Sequence, residues 1–425
     1  MSKKNFLMGK NVKFFFSTAL LFFSIFSIHF QGVAEFLTPR ILSMFIMVFF
    51  FMHKELINLY KKKFSLTKIL WMLSTVFIFM YSSIVTYFNR IDVSDTTIVS
   101  STLNFLIFVG IFPFFMEKIF IDSKYFATCL LYSSLVQAVI VILSFTFSGV
   151  RFFLEKIQIM EFWRYDWRVI GLGIAGAGGS IYLFMGIVAA GFLIISGELK
   201  LKNLIFMFII SIAILLVGRT GFYATLILII YILFCNSNDF LKSFKNATKI
   251  FTFLLLSLLV FFMILFITPN FNFDMLFYTL DRALELFEYG FDSPTLSGIN
   301  NVETPIPGLS LETLFGTGVA RGLTPSGKLF MSDSGYIQRY ASLGFIVAIV
   351  SYVSFAIFIM QLTKNIDRLK RRYIYFCLLL LFVIEYKEPF MYMLAYPFTL
   401  VMLSIITKRE AENGKTISKC MHDNV

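Results

Sequence analysis

Only four of the 425 residues are cysteine and three are histidine, and charged side chains make up just 15% of the chain. Soluble domains carry charge on about a quarter of their residues, so this poverty excludes an ordinary soluble domain. It excludes a disordered chain too, since disorder needs low hydrophobicity together with high net charge. His29, His53 and His422 are scattered over both sides of the topology derived below. That argues against a histidine-based metal site and against a histidine proton relay. Cys129, Cys235 and Cys377 fall in the inner halves of apolar runs and Cys420 in the inner tail, so no disulfide framework is expected. The net charge of +12 is strewn along apolar runs rather than gathered in a patch. A nucleic-acid partner is therefore not expected.

What is present is apolar: 58% of the residues are hydrophobic and the mean hydropathy is +0.82. The apolar runs lie near 12–30, 36–52, 69–88, 96–115, 125–148, 171–196, 203–218, 221–235, 250–268, 335–360, 373–387 and 389–407. Each approaches the roughly 20 residues that cross a bilayer as a helix. Strands of a membrane barrel would be shorter and would alternate apolar with polar residues, which these runs do not. With the N-terminus inside, 25 of the 37 basic residues fall in inner loops and tails. The positive-inside rule then puts both termini in the cytoplasm. The first run is long for a signal peptide and reads as an uncleaved anchor.

Two outer segments are too long to be turns. Residues 150–170 hold two of the three tryptophans together with Arg151, Lys156, Arg164 and Arg168. Trp and Tyr favour the membrane interface, so this segment reads as a helix lying on the bilayer, or as a basic rim that gathers an anionic substrate. Residues 268–334 form a loop longer than an idle connection needs. Its first part has a helical face of Leu276, Leu280, Leu284 and Phe287, and its remainder is rich in Pro and Gly. No repeat, coiled coil or separate soluble domain is evident. The expected fold is all-α: one polytopic transmembrane domain over residues 1–425, with about twelve spans and this large outer loop between spans 9 and 10.

Gly171-Leu172-Gly173-Ile174-Ala175-Gly176 matches a dinucleotide-binding fingerprint in letters only, since no strand precedes it in a soluble unit. The small residues Gly173, Ala175, Ala177, Gly179, Gly186 and Ala190 read instead as a close helix-packing face. Gly218-Arg219-Thr220-Gly221 forms a tight turn between spans 7 and 8. Arg219 is either a snorkelling helix-end arginine or a guanidinium set to fork onto a phosphate. Leu314-Phe315-Gly316-Thr317-Gly318 is followed by Ser332-Asp333-Ser334-Gly335-Tyr336, then Arg339, Ser342, Leu343 and Gly344. Asp333 precedes span 10 and is either an N-cap or a carboxylate available to substrate. Arg339 is expected one turn below, as a partner of Asp333 or Glu388 or as a substrate contact. Glu385-Tyr386-Lys387-Glu388-Pro389 is either a self-neutralising turn or the floor of a cavity.

These features together resemble O-antigen polymerases of the Wzy type. The likeness lies in the many spans, the large late outer loop, the Gly-Arg-Thr-Gly turn and the Phe315–Gly318, Ser332–Tyr336 and Ser342–Gly344 runs. Lys387-Glu388-Pro389-Phe390 before the last span adds to it. The topology covers most of the chain; the motifs cover about Val217–Gly221 and Leu314–Gly344. The resemblance implies a GT-C-like glycosyltransferase of the bacterial inner membrane. It would join oligosaccharide repeat units carried on undecaprenyl diphosphate at the periplasmic face, with no cofactor and no metal. Expected partners are that lipid-linked oligosaccharide and the bilayer, with a chain-length regulator and the repeat-unit flippase as further candidates.

Breaking a sugar–diphosphate bond leaves concentrated negative charge, which fixed cations stabilise. Arg219 is the expected catalytic cation. Arg151, Arg164, Arg168, Arg282, Arg321 and Arg339 are expected substrate contacts, with Lys387 and Glu388. Asp333 is the expected base toward the acceptor hydroxyl, with Glu161, Asp166 and Glu388 as weaker choices. An O-antigen ligase is the near alternative, but such ligases are expected to use a histidine in the large outer loop, and this loop has none. A repeat-unit flippase is the transporter alternative; the inverted repeats and mid-membrane polar sites of transporters are not evident.

Overall fold

The computed structural model describes residues 10–26, 28, 30–31, 65–89, 97–158, 169–198, 200–235, 276–278, 280–281, 284–285, 288, 310–323, 329–330 and 332–422. In chain order the helices are α1 (Lys10–Ile25), α2 (Leu66–Phe88), α3 (Thr97–Met116), α4 (Ser123–Thr146), α5 (Ser148–Ile157), α6 (Gly176–Ile195), α7 (Leu201–Val217) and α8 (Arg219–Cys235). After them come α9 (Leu311–Phe315), α10 (Gly335–Leu343), α11 (Phe345–Thr363), α12 (Arg368–Glu385) and α13 (Ala395–His422). A minimal hairpin, Gly322–Leu323 against Leu329–Phe330, is the one strand pair among the described residues outside isolated bridges.

Five described helices, α2, α3, α4, α6 and α11, are long and apolar enough to cross a membrane. Asn11–Ile25, Leu201–Val217 and Arg219–Phe234 are shorter apolar helices. The expected spans 2 and 9 lie outside the described residues. In α2 the exposed face is Leu66, Ile69, Leu70, Leu73, Val76, Phe77, Met80 and Ile84, while the buried face includes Trp71, Thr75 and Ser82. Water would penalise such a stripe by hundreds of Å² of bare apolar surface; lipid does not. Among the described residues the protein is helical apart from that hairpin, as suits an all-α membrane protein.

By its internal contacts the chain divides into two compact units. The first comprises Met1–Ile57 and Ile119–Phe273, the second Asn58–Lys118 and Asp274–Val425. In the first, α6 is the central helix, with α4, α7 and α8 packed on it. Its glycines allow this. A methyl on Gly186 would lie 2.5 Å from Ser134 Cβ and 2.8 Å from Ile210 Cδ1. Gly186→Ala is therefore expected to cost about 1–3 kcal/mol by overpacking, read as a fall in the melting temperature of the purified protein. An unchanged melting temperature would show that these helices yield freely.

The helix begins only at Gly176, so Gly173 and Ala175 belong to a turn rather than to the packing face expected for them. Gly171 and Ile174 close that turn, and Gly173 and Gly176 take φ of 67° and 62°. Three polar side chains tether it: Gln137 donates to Leu172 O (2.9 Å), Gln158 to Gly171 O (3.0 Å) and Ser144 to Ile170 O (2.5 Å). The fingerprint-like letters thus encode a helix entry.

In the second unit α13 is sheathed from Ala395 to Thr407. Beside it α3 is irregular: Leu106–Ile111 is wound as a π-helical turn between two α-helical pieces. Pro113 has no N–H to offer the Val109 carbonyl four residues back. The Trp71 indole N–H donates to that carbonyl instead (3.2 Å), with its ring stacked on Phe358 at 4.7 Å. Trp71→Phe keeps the stacking and strands the carbonyl in an apolar interior. A loss of about 1–3 kcal/mol is expected, measured by thermal unfolding; full wild-type stability would contradict it.

At the Lys68 end of α2, Lys68 Nζ binds Glu117 Oε2 at 2.9 Å and Arg409 donates to the Glu117 carbonyl. At its other end, Asn89 Nδ2 donates to Gly316 O at 3.0 Å. With a rise of 1.5 Å per residue these two places are about 30 Å apart along the helix.

Candidate functional site

The site is built at the Asn89 end of α2, wholly within the second unit. Ser310 opens α9 with a capping box, accepting from Thr313 N while Thr313 Oγ1 accepts from Ser310 N. The helix stops after one turn at Gly316, whose φ of 88° suits glycine. The chain then runs beside the end of α10. Thr317 N donates to Ala341 O (2.8 Å) and Gly318 N to Ser342 O (3.0 Å), and Thr317 Oγ1 adds a bond to Ala341 O (3.0 Å). These are carbonyls of the last helical turn, which lack partners inside their own helix. The Phe-Gly-Thr-Gly run therefore caps the Ser-Leu-Gly run, 24 residues further along the chain. Gly318 lies against α2, where a methyl would be 2.8 Å from Thr86 Cα.

Span 10 was expected as one helix over 335–360. It is instead two helices, broken at Gly344 with φ of 78°. Only α11 has membrane-spanning length. The short α10 is amphipathic and buries Gln338, Arg339, Ala341, Ser342 and Leu343.

Asp333 is not the N-cap of α10. Ser334 occupies that place and makes no side-chain cap. The Asp333 carboxylate instead receives Arg321 Nη2 at 2.8 Å, with both side chains more than half exposed. Arg321 Nε also reaches Ser332 O at 3.3 Å, and Gln338 Nε2 donates to the same carbonyl at 2.8 Å. The expected partnership of Arg339 with Asp333 is thus taken by Arg321. Arg339 is only 4% exposed. Its guanidinium carbon sits 3.6 Å from the centroid of the Tyr392 ring, and Nη1 donates to Ser101 Oγ at 3.2 Å.

Glu385 is fully buried. Tyr352 Oη donates to its Oε1 (2.8 Å) and Met391 N to its Oε2 (2.7 Å). Tyr336, on the first turn of α10, donates to Phe382 O at 2.6 Å. Lys387 and Glu388 follow Glu385, half-buried. Sequence reasoning missed Tyr352, Tyr392 and Ser101, which are unremarked residues of apolar runs. Glu385 carried a signal, since an acid at the end of a membrane helix is functional by default.

Arg219 and Arg151 belong to the first unit. Arg219 is half-buried at the start of α8. The glycines around it fit tightly on α6: Gly221 N donates to Ser180 Oγ at 3.0 Å, and a methyl on Gly218 would meet Gly176 O at 2.8 Å. Arg151, on α5, pairs with Glu155 at 2.9 Å. Arg164, Arg168 and Arg282 lie outside the described residues, as do Glu161 and Asp166. The 150–170 segment is helical through Ile157, with Leu154 buried and Phe152 and Phe153 exposed. No protein-family model, curated protein or solved structure matches the chain.

Proposed function

We propose that this protein is a GT-C-like glycosyltransferase of the bacterial inner membrane. It would join undecaprenyl-diphosphate-linked oligosaccharide repeat units into a surface polysaccharide on the outer face, as an O-antigen polymerase does. One observation carries the reading. The three short runs behind the resemblance, 315–318, 332–336 and 342–344, converge on one hydrogen-bonded substructure that presents Asp333 and Arg321 to the surface.

The position along α2 supports it. The Lys68–Glu117–Arg409 cluster takes basic residues of the inner loops, which the positive-inside rule assigns to the cytoplasm. The site lies about 30 Å away along the helix, a membrane thickness. That is where a lipid diphosphate flipped to the outer leaflet presents its sugar.

In the reaction the acceptor hydroxyl attacks the anomeric carbon of the donor. Its proton passes to the Asp333 carboxylate. The bond between the anomeric carbon and the phosphate oxygen breaks, and its electron pair leaves on the lipid diphosphate. Arg321 turns from Asp333 to that diphosphate, which offers a bidentate partner of higher charge. Lys387 and Glu388 are assigned to the acceptor side.

The test is a polysaccharide gel from a strain lacking the gene, beside the complemented strain. Loss of the ladder with retention of one capped repeat supports a polymerase. Bare core would move the assignment to ligation or flipping, and an unchanged ladder would remove the polysaccharide reading.

A further inference from the structure

We infer that Glu385 is a positioning residue: its buried carboxylate joins the segment that bears Asp333 to the turn that bears Lys387 and Glu388. The inference rests on the reading of Asp333 as the base. Three elements meet at the carboxylate. Tyr352, on α11, holds Oε1 at 2.8 Å, and the backbone N–H of Met391, in the turn before α13, holds Oε2 at 2.7 Å. Gly335, two residues after Asp333, presses its backbone onto the same group; a methyl there would lie 2.5 Å from Oε1 and 2.7 Å from Pro389 Cα. The glycine of the Ser-Asp-Ser-Gly-Tyr run is thus explained by the acid 50 residues later. No larger residue lets the segment seat on Glu385.

A buried carboxylate needs a compensating charge as well as hydrogen bonds. Arg339 supplies it from α10 and interacts electrostatically with Glu385. Its guanidinium is occupied by Tyr392 and Ser101, and neither group reaches the surface. Apolar side chains of equal volume would fill such a space at no cost in stability. What a charged joint adds is a single register between the two segments. Arg339 Nε and Ser334 Oγ remain buried without partners.

The experiment uses the full chain in nanodiscs. Ser334→Cys, at a fully buried position of the same segment, is labelled with a membrane-impermeant maleimide, alone and combined with Glu385→Gln or with Tyr352→Phe. The parent chain serves as the background for the native cysteines. Tyr352→Phe removes one hydrogen bond and no volume, so it covers the case in which Glu385→Gln fails to fold. Labelling is expected to accelerate by about 5- to 150-fold as the segment loosens, since a stranded buried partner costs about 1–3 kcal/mol. Unchanged rates in both variants overturn the inference, and so does collapse of both into aggregate, which would make the joint a general support.

With a lipid-diphosphate oligosaccharide as donor, Glu385→Gln should lower kcat and leave KM near that of the parent. Combined with Asp333→Asn it should lower kcat no further than Asp333→Asn alone; additive losses would overturn the inference. If the parent makes no polymer while labelling still responds, the joint stands and the polymerase reading falls.

Discussion

Cells carrying Asp333→Ala make no polymer beyond a single repeat, while the protein reaches the membrane at its normal level. Two magnitudes lie behind this expectation. A positioned general base is worth about 10²–10⁴ in rate, enough to erase a ladder. The ion pair that Asp333 makes with Arg321 is more than half exposed on both sides, and an exposed pair contributes about 0–1 kcal/mol to stability. Catalysis and folding are thus separable at this position. Arg219→Ala, at the cation that the resemblance implies, is expected to give the same phenotype. Immunoblotting of membranes beside a polysaccharide gel reads both quantities at once. Long chains in either mutant would remove that residue from the chemistry.

Gly344→Ala is expected to produce the largest loss of stability. Two costs add there. The φ of 78° at Gly344 costs a residue with a Cβ about 1–2 kcal/mol. The methyl would also press on Leu314 O and lie 2.5 Å from the Phe315 carbonyl carbon, an overpacking worth about 1–3 kcal/mol. Neighbouring backbone has little room to yield, because the 315–318 run is bonded to α10. Gly197 isolates the first cost, since its φ is 84° and nothing lies within 4 Å of the added methyl. Gly197→Ala should therefore melt only slightly below the parent. Gly344→Ala should melt far below it or fail to accumulate. Equal melting temperatures for the two variants would show that the Leu343–Gly344 corner is slack and that the capping runs do not hold it.

The helical class and the positions of α2, α3, α4 and α6 were legible in the sequence because hydropathy is a local property. A run such as 69–88 must be a helix once it is in lipid, since only a helix satisfies its own backbone there. Its observed bounds, Leu66–Phe88, differ from the expected ones by three residues or fewer. The same reasoning failed over 335–360, where a continuous helix was expected. Gly344 was visible, but what makes it a corner is the backbone of Leu314–Gly316 packed against it, roughly 30 residues earlier in the chain. Hydropathy carries no record of that contact.

The site divides in the same way. Sequence reasoning singled out Arg321 and Arg339 as cations suited to an anionic substrate, and Asp333 and Glu388 as candidate bases. Their depth and partners follow from tertiary structure. Arg339 and Asp333 sit six positions apart on one short stretch, yet one is sealed against Tyr392 and the other faces outward. That difference arises because Arg339 lies on the buried face of α10, while Asp333 precedes the helix.

The sequence by itself determined that the chain is a helical membrane protein. Apolar length and basic-residue bias are sums over neighbouring residues, which any reader of the chain can take. Only the tertiary structure decided that Arg321, not Arg339, meets Asp333, and that Glu385 is a buried joint. Those outcomes depend on hydrogen bonds between residues far apart in the chain. Each is made only where packing brings a donor and an acceptor within about 3 Å of each other.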